Sequence, residues 1–455
     1  MKFINKQDLL SHGNKKLRTD ILKVIDYAIK NVDPYTSTIN LVKIKNNILY
    51  IGQSSYDLSK KQNIYVLGAG KASLSIAIAL EKLLQDKITG GIIIIKKGQY
   101  TKKLKKIQII EASHPIPDKK GFEGAKAIIE LTNKINNNDL VFTLITGGSS
   151  ALAPLPEDGI SLEDKIETNK LLLESGANIL EINNIRKHIS KIKGGRLAKN
   201  YLSHTQIINF IVSDVVGNNI KHESDWVMPD ESTASDALNT LQKYNLLNKI
   251  PSTVINHLNT VSQNPDLESP NMLSFKNLNI DTFVLTNINK ACEAAFHKAK
   301  NLGYNSMILN NMLQGESKDI GIILSSIAKE CIKTGLPLQP PCIIILGGET
   351  TVSLKSFSEI GGRNQEMALS AAIKLNNLNR VVLATFNTDG SDGPTDAAGG
   401  LIDGKSYKIG QNLGIDFASS LKTHASYNAL KKINDIIITG STGTNVMDII
   451  ILGIN

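Results

Sequence analysis

Short, mostly apolar runs recur along this chain, and most of them end within a few residues of glycine, a hydroxyl, an acid or a base. The runs are Ile64–Leu67, Ile92–Ile95, Leu140–Ile145, Ile207–Val212, Thr282–Leu285, Ser306–Leu309, Cys342–Leu346, Val381–Ala384 and Ile449–Ile454. Each is too short for a helix, and most are apolar on both faces, as strands buried in a parallel sheet are. Stretches of helical spacing separate them. In residues 8–30, Val24 and Ala28 fall on one face with Val32 just beyond; further helices are expected near 161–200, 233–243, 251–258 and 289–302. Leu41 to Ile51 reads as a small hairpin. The alternation of strand and helix predicts an α/β fold with largely parallel sheets. It is interrupted at residues 222–280 by Pro-containing turns and a polar loop from Ser262 to Asn277. A domain boundary placed there gives two domains, 8–250 and 280–455.

Composition narrows the class of protein. A chain of 455 residues suits two domains, and 41% hydrophobic residues can fill two cores. The net charge of +9 comes without a long basic block, and one Trp stands among few aromatics. Neither a nucleic-acid groove nor a stacking platform is expected. Cys292, Cys331 and Cys342 lie far apart without metal-ligand spacing, which suits a reducing compartment. No apolar run reaches membrane-span length and no secretory leader is evident, so the expected location is cytoplasmic and the expected partners are small molecules. A homodimer is compatible with the sequence.

The candidate chemistry sits where the apolar runs end. Ligands of open α/β sheets bind outside the carboxyl ends of the strands. After Ile64–Leu67 comes Gly68-Ala-Gly70-Lys71-Ala-Ser73 and a helix, which sets a lysine at a helix N-terminus, where phosphate is favoured. The turn is neither a Walker A loop nor a good dinucleotide fingerprint. Tyr65 and Ala72 break the first pattern, and Ser73 replaces the third glycine of the second. Leu140–Ile145 runs into Thr146-Gly147-Gly148-Ser149-Ser150, a candidate anion nest. His114 lies between a strand end and two prolines, as suited to a structural loop as to a ligand. The densest basic stretch, Arg186 to Arg196, contains Lys193 followed by two glycines. Its default reading is a solvated helix face. Val381–Ala384 leads into Asp389-Gly-Ser-Asp392-Gly-Pro-Thr-Asp396, which could hold a hydrated cation or be a plain Asp/Gly turn.

Taken in order, these pieces carry a resemblance. Gly-Ala-Gly-Lys71-Ala, Thr146-Gly-Gly-Ser-Ser-Ala, Asn184-Ile-Arg-Lys-His188 to Gly195, Ser213-Asp214-Val, Gly-Gly-Glu349-Thr-Thr-Val, Gly-Gly-Arg363-Asn-Gln-Glu, the Asp389–Asp396 segment and Thr442-Gly-Thr-Asn445-Val follow one another. From about residue 10 onward the chain resembles the two-domain glycerate 2-kinases of the MOFRL family. The resemblance implies two Rossmann-like domains, an active site in the interdomain cleft, and ATP-dependent phosphorylation of D-glycerate at its 2-hydroxyl with Mg2+. It implies catalytic roles for Lys71 and Arg363, joined by Asp214. Gly68, Gly70, Ser73, Gly147, Gly148, Ser149, Ser150 and Lys193 are then candidates for phosphate or nucleotide binding. Arg186, Glu349, Asn364 and Asn445 are candidates for substrate, and Asp389 and Asp392 for the metal.

The chain departs from the family pattern in three places. Ser224-Asp225-Trp226-Val227 replaces a Ser-Gly-Pro-Thr segment. Asn218 and Asn219 stand where a carboxylate is usual. His424-Ala425-Ser426 stands for Asn-Asp-Ser. These departures keep open a non-catalytic or altered-substrate relative. A hydroxypyruvate reductase using NAD(P)H is a further alternative. Its weakness is the missing ribose acid, since Lys96 and Lys97 end the second strand.

Overall fold

The computed structural model describes residues 2–99, 103–217, 226–354 and 359–455. The chain divides into two compact units. One comprises Met1–Ser37, Ser213–Asn218 and Thr286–Asn455; the other comprises Thr38–Val212 and Asn219–Leu285. The long N-terminal helix, α1 (Lys15–Asn31), therefore belongs with the C-terminal strands and not with the unit that begins at Thr38, unlike the boundary read from sequence. A buried ion triad holds it there. Arg18, fully buried, places its Nε 2.7 Å from Asp403 and its Nη1 2.7 Å from Asp435. The apolar face of α1, including Val24 and Ala28, is buried.

The unit containing Lys71 opens with an antiparallel meander, β1 (Val42–Lys45), β2 (Ile48–Ile51) and β3 (Ser54–Asp57), one strand more than the expected hairpin. Its main sheet contains β4 (Ile64–Ala69), β5 (Gly90–Lys96), β6 (Ile107–Ala112), β7 (Leu140–Thr146), β8 (Gln206–Val212) and β9 (Asn279–Thr286), in the order β6-β5-β4-β7-β8-β9. The pairings of β4 with β5 and β7, of β5 with β6, and of β7 with β8 are all parallel. Strand order reverses at β4 and β7, the position where such sheets bind ligands. Helix α2 (Ser73–Leu84) follows β4, and the single turn α3 (Ser149–Leu152) follows β7. Helices α4 (Leu162–Glu174) and α5 (Ile179–His188) lie in the 161–200 stretch where helices were expected.

The other unit departs from expectation. Its sheet contains β10 (Asn305–Leu313), β11 (Cys342–Gly348), β12 (Val381–Asn387), β13 (Gly399–Asp403), β14 (Ile436–Ile437) and β15 (Asp448–Ile454), in the order β10-β11-β15-β12-β13-β14. Only β10 and β11 pair in parallel; the other pairings are antiparallel, so this sheet is mixed. The last strand inserts between β11 and β12 and runs against both. An apolar run marks a buried strand but carries no direction, which is why the sequence suggested largely parallel sheets in both domains. Helix α6 (Arg363–Lys374) packs over this sheet, with Met367, Ala368, Leu369, Ala371 and Ala372 in the core. Among the described residues no helix is long and apolar enough to cross a membrane.

Candidate active site

Each unit carries a cluster of the expected residues at the carboxyl ends of its strands. In the sheet of β4 and β7, two turns that are far apart in sequence are joined by backbone. The Lys71 N–H donates to Gly147 O at 2.9 Å, and the Ala72 N–H donates to Thr146 Oγ1 at 3.1 Å. Gly148 has φ +89°, where a side chain is strained, and a Cβ there would lie 3.0 Å from the His114 ring and 3.6 Å from Lys71 Cγ. Lys71, His114 and the Gly-Gly-Ser-Ser turn therefore share one small region. Lys193, nearly fully buried, brings its Nζ within 2.6 Å of Ser150 Oγ. Two lysines, His114, backbone N–H groups and two hydroxyls thus gather from four segments, a set of groups suited to phosphate oxygens.

Several expected members of this cluster serve elsewhere. Gly68 lies inside β4, paired with Leu144, and a Cβ there would meet Leu144 O at 2.5 Å. Ser73 is fully buried and donates its hydroxyl to that same Leu144 carbonyl at 3.0 Å. Both hold β4, β7 and α2 together, which corrects their assignment to phosphate. Arg186 donates from Nε to Asn169 of α4 at 2.8 Å, a link between helices. Lys187, His188 and Arg196 of the basic stretch are buried and paired, while Lys191 pairs with the exposed Asp158. Lys187 pairs with Asp230 at 3.0 Å, His188 with Glu268 at 3.0 Å, and Arg196 with Glu157 at 3.3 Å and Ser269 at 2.9 Å. A buried pair of this kind is costly to break from one side, so the stretch is scaffold more than solvated face. Asn218, Asn219, Ser224 and Asp225 lie outside the described residues. Trp226 and Val227 are fully buried in the core of this unit.

The second cluster surrounds the first turn of α6. Arg363 donates through Nε and Nη2 to the two oxygens of Asp448, at 2.6 and 3.0 Å, and through Nη1 to Glu349 at 2.6 Å. This two-point fork fixes the plane of the guanidinium. Asn364 adds a bond from Nδ2 to Asp448 at 2.9 Å. Burial pushes the Asp448 carboxyl up to about 7 against the pull of Arg363, and Asp392 and Glu349 push it the same way. Burial would lower the Arg363 guanidinium, but Asp448 and Glu349 hold it above the ordinary arginine range.

Asp392 is fully buried, and both of its oxygens are engaged by the start of α6. They accept from the backbone N–H groups of Asn364 at 3.1 Å and Gln365 at 3.0 Å, and from both side-chain amides. It caps a helix that has no other side-chain cap. This corrects its assignment to the metal. Asp389 accepts from the N–H and hydroxyl of Ser391 at 2.8 and 2.9 Å, while its carbonyl receives the Thr442 N–H. Asn445 donates from Nδ2 to Asp214 Oδ2 at 3.1 Å. Asp214 and Asp389 therefore border one loop, Thr442–Asn445. Among the described residues no three His, Cys, Asp or Glu side chains form a metal cage. Mg2+ needs no such cage, since one or two carboxylates and substrate phosphates hold it. The donor set of Asp389 and Asp214 fits that mode.

Two functional candidates escaped the sequence reading. Asp448 is the sole charge at the head of the apolar run Ile449–Ile454, a signal that could have marked it. Glu366, one turn beyond Arg363, pairs with His424 at 2.7 Å, and both line a cavity of about 400 Å³ together with Arg363. Nothing in the spacing of 366 and 424 announces that contact.

Comparison with known proteins identifies the family of this chain. Residues 20–259 match the model described as a domain of unknown function (DUF4147), and residues 342–448 match the MOFRL family. A glycerate 2-kinase of Pyrococcus horikoshii is 43% identical over 94% of this chain and 96% of its own length. The chain belongs to the two-domain glycerate 2-kinase family. A crystal structure of a glycerate kinase from Thermotoga maritima superposes on it with a TM-score of 0.82, at 35% identity, covering 97% of this chain and all of that one. An Agrobacterium vitis relative provisionally named hydroxypyruvate reductase is 37% identical over 84% of this chain and 97% of its own length. In this glycerate 2-kinase chain, Lys71 and Arg363 each stand at the centre of one of the two clusters, and Asp448 secures the second.

Proposed function

We infer that the protein transfers the γ-phosphoryl group of ATP to the 2-hydroxyl of D-glycerate, giving 2-phosphoglycerate and ADP. The observation that carries this reading is the Arg363 fork, locked by Asp448 and Glu349 on the first turn of α6, in a chain 43% identical to a glycerate 2-kinase over nearly its whole length. Phosphoryl transfer asks little covalent chemistry of a protein. It asks for position and for positive charge where negative charge spreads. In the reaction the bond from the γ-phosphorus to the bridging oxygen of ADP breaks, a bond to the glycerate O2 forms, and the hydroxyl proton is released to solvent water.

Lys71 neutralises phosphate oxygens beside the Gly147–Ser150 turn, where Lys193 supplies a second charge. Arg363 presents its remaining N–H groups to the transferring group or to the glycerate carboxylate. A positioned arginine of this kind contributes on the order of 10³–10⁵ in rate. Asp214 and Asp389 would hold Mg2+, which supplies charge neutralisation at the phosphates when bound. Asn445 orients Asp214 for that role.

Phosphorus NMR of the protein with Mg2+, ATP and D-glycerate tests the reading. A 2-phosphoglycerate signal growing in step with ADP is expected. A 3-phosphoglycerate signal would move the acceptor hydroxyl, and no transfer by folded protein would overturn the assignment. The reductase name borne by a relative calls for one control, hydroxypyruvate with NADPH. No oxidation is expected. The position of a third fingerprint glycine is the buried Ser73, and Lys97 beyond β5 pairs with Asp118 where a ribose acid would be needed.

A further inference from the structure

We propose that His424, oriented by Glu366, binds an anionic oxygen of a substrate in the cavity beside Arg363 and is a specificity-determining residue of this kinase. The inference rests on the function proposed above. The cavity, about 400 Å³, is lined by Arg363 and Glu366 on one face of α6, by His424 from a separate segment, and by the apolar groups of Val352, Leu354 and Pro394. That volume admits a hydroxy acid or part of a nucleotide.

His424 is nearly fully buried, and its Nδ1 lies 2.7 Å from Glu366 Oε1. Glu366 itself is 1% exposed. The contact fixes the ring and leaves Nε2 as its second polar atom. Among the described residues Nε2 has no protein partner, although the ring lines the cavity. A polar atom so placed needs a partner, and a ligand oxygen can be one. The pair also determines what Nε2 offers. When the two groups together hold two protons, Nε2 carries one whichever of them holds the shared proton, and it donates. Arg363 supplies positive charge to the same cavity. Glu359 also lines it and repels an anion on its own side, which confines the anionic oxygen to the neighbourhood of Arg363 and His424.

An imidazole reaches farther from the backbone than an asparagine amide and can carry charge. His424 has φ +61°, a conformation that asparagine adopts more readily than most residues. His424→Asn is therefore expected to fold, and it isolates the side-chain contact. Glu366→Gln tests the orienting contact.

The oxygen belongs either to a carboxylate, from D-glycerate, or to a phosphate, from ATP. Calorimetric titration of wild type and both variants separates these, with D-glycerate alone and with a non-hydrolysable ATP analogue and Mg2+. We expect the dissociation constant of one ligand to rise about 10-fold or more in His424→Asn, the loss of a charge-assisted hydrogen bond. A smaller rise is expected in Glu366→Gln, with KM for that ligand changing more than kcat. Movement of the glycerate constant assigns the carboxylate, and movement of the analogue constant assigns the phosphate. Unchanged affinity for both ligands in folded His424→Asn overturns the proposal, as does failure of wild type to bind either. Because binding is read without turnover, the two readings fail separately. Altered affinity without phosphoryl transfer would sink the kinase and keep His424; transfer with unaltered affinities would do the reverse.

Discussion

The two clusters solve the same problem with different materials. Around Lys71 the framework is main chain: one N–H to the Gly147 carbonyl, another to the Thr146 hydroxyl, and a glycine at φ +89° where a side chain would strike His114. Around Arg363 the framework is side chains: three carboxylates and two amides, mostly buried, each oriented by the next. The bonds that join the two turns of the first cluster do not use the side chain at 71. The second is a network in which each member is held by its neighbours' hydrogen bonds, so removing one leaves others unsatisfied in a poorly solvated place.

Substitutions can break that contrast. The largest effect is expected for Arg363→Ala, a fall in kcat of about 10³ or more. Steady-state kinetics would show it, with a thermal melt alongside to establish that the variant folds. Near-wild-type turnover would remove Arg363 from the mechanism. Lys71→Met should cost about 10² in kcat, as loss of one transition-state donor does, and because its backbone is retained, its melting temperature should barely move. A large fall in melting temperature would mean that the lysine side chain, and not the main chain, holds that turn. Asp448→Asn keeps the shape but weakens the fork, and kcat/KM should fall by about 10- to 100-fold, the range of a hydrogen bond to a charged group.

The pH profile sharpens the same point with a smaller effect. Burial raises Asp448 to about 7 in the folded protein, above its unfolded value. Protonation therefore favours the folded state. The stability this group contributes is present at low pH and is lost as pH rises through about 7. Activity runs the other way, because the charged carboxylate grips Arg363 best, so kcat should climb over the same interval. An acid limb that persists unchanged in Asp448→Asn would assign it to another group. The smallest effect is expected for Gly148→Ala, where the left-handed backbone costs about 1–2 kcal/mol. Denaturant unfolding would measure that loss, and no loss would show that the turn relaxes without strain.

How much of this was legible beforehand differs between the clusters for the same reason. Lys71, Gly147, Gly148, Ser149 and Ser150 sit in local strand–turn–helix patterns, where glycine and hydroxyl residues beside an apolar run announce the turn. Asp392 looked like a metal ligand because an Asp/Gly-rich turn has that composition. Its role as cap to α6 depends on a helix nearly thirty residues earlier in the chain. Gly68 and Ser73 were read as part of the phosphate turn, yet both face Leu144 of β7. Strand β13 (Gly399–Asp403) opens with two glycines and ends in an acid, and its strand character comes from pairing back on β12.

The sequence by itself determined which stretches are buried strands, where chemistry collects at their ends, and, through the ordered motifs, the family. Those properties are local: apolar runs fix burial and glycine fixes turns over a few residues. Only the tertiary structure decided that α1 joins the C-terminal unit through Arg18, that β15 runs against its neighbours, that Asp448 grips Arg363, and that Glu366 meets His424. Each of these is a pairing between residues distant in sequence. A charge or a strand names the kind of partner it needs, but the packing of the folded chain selects which partner it has.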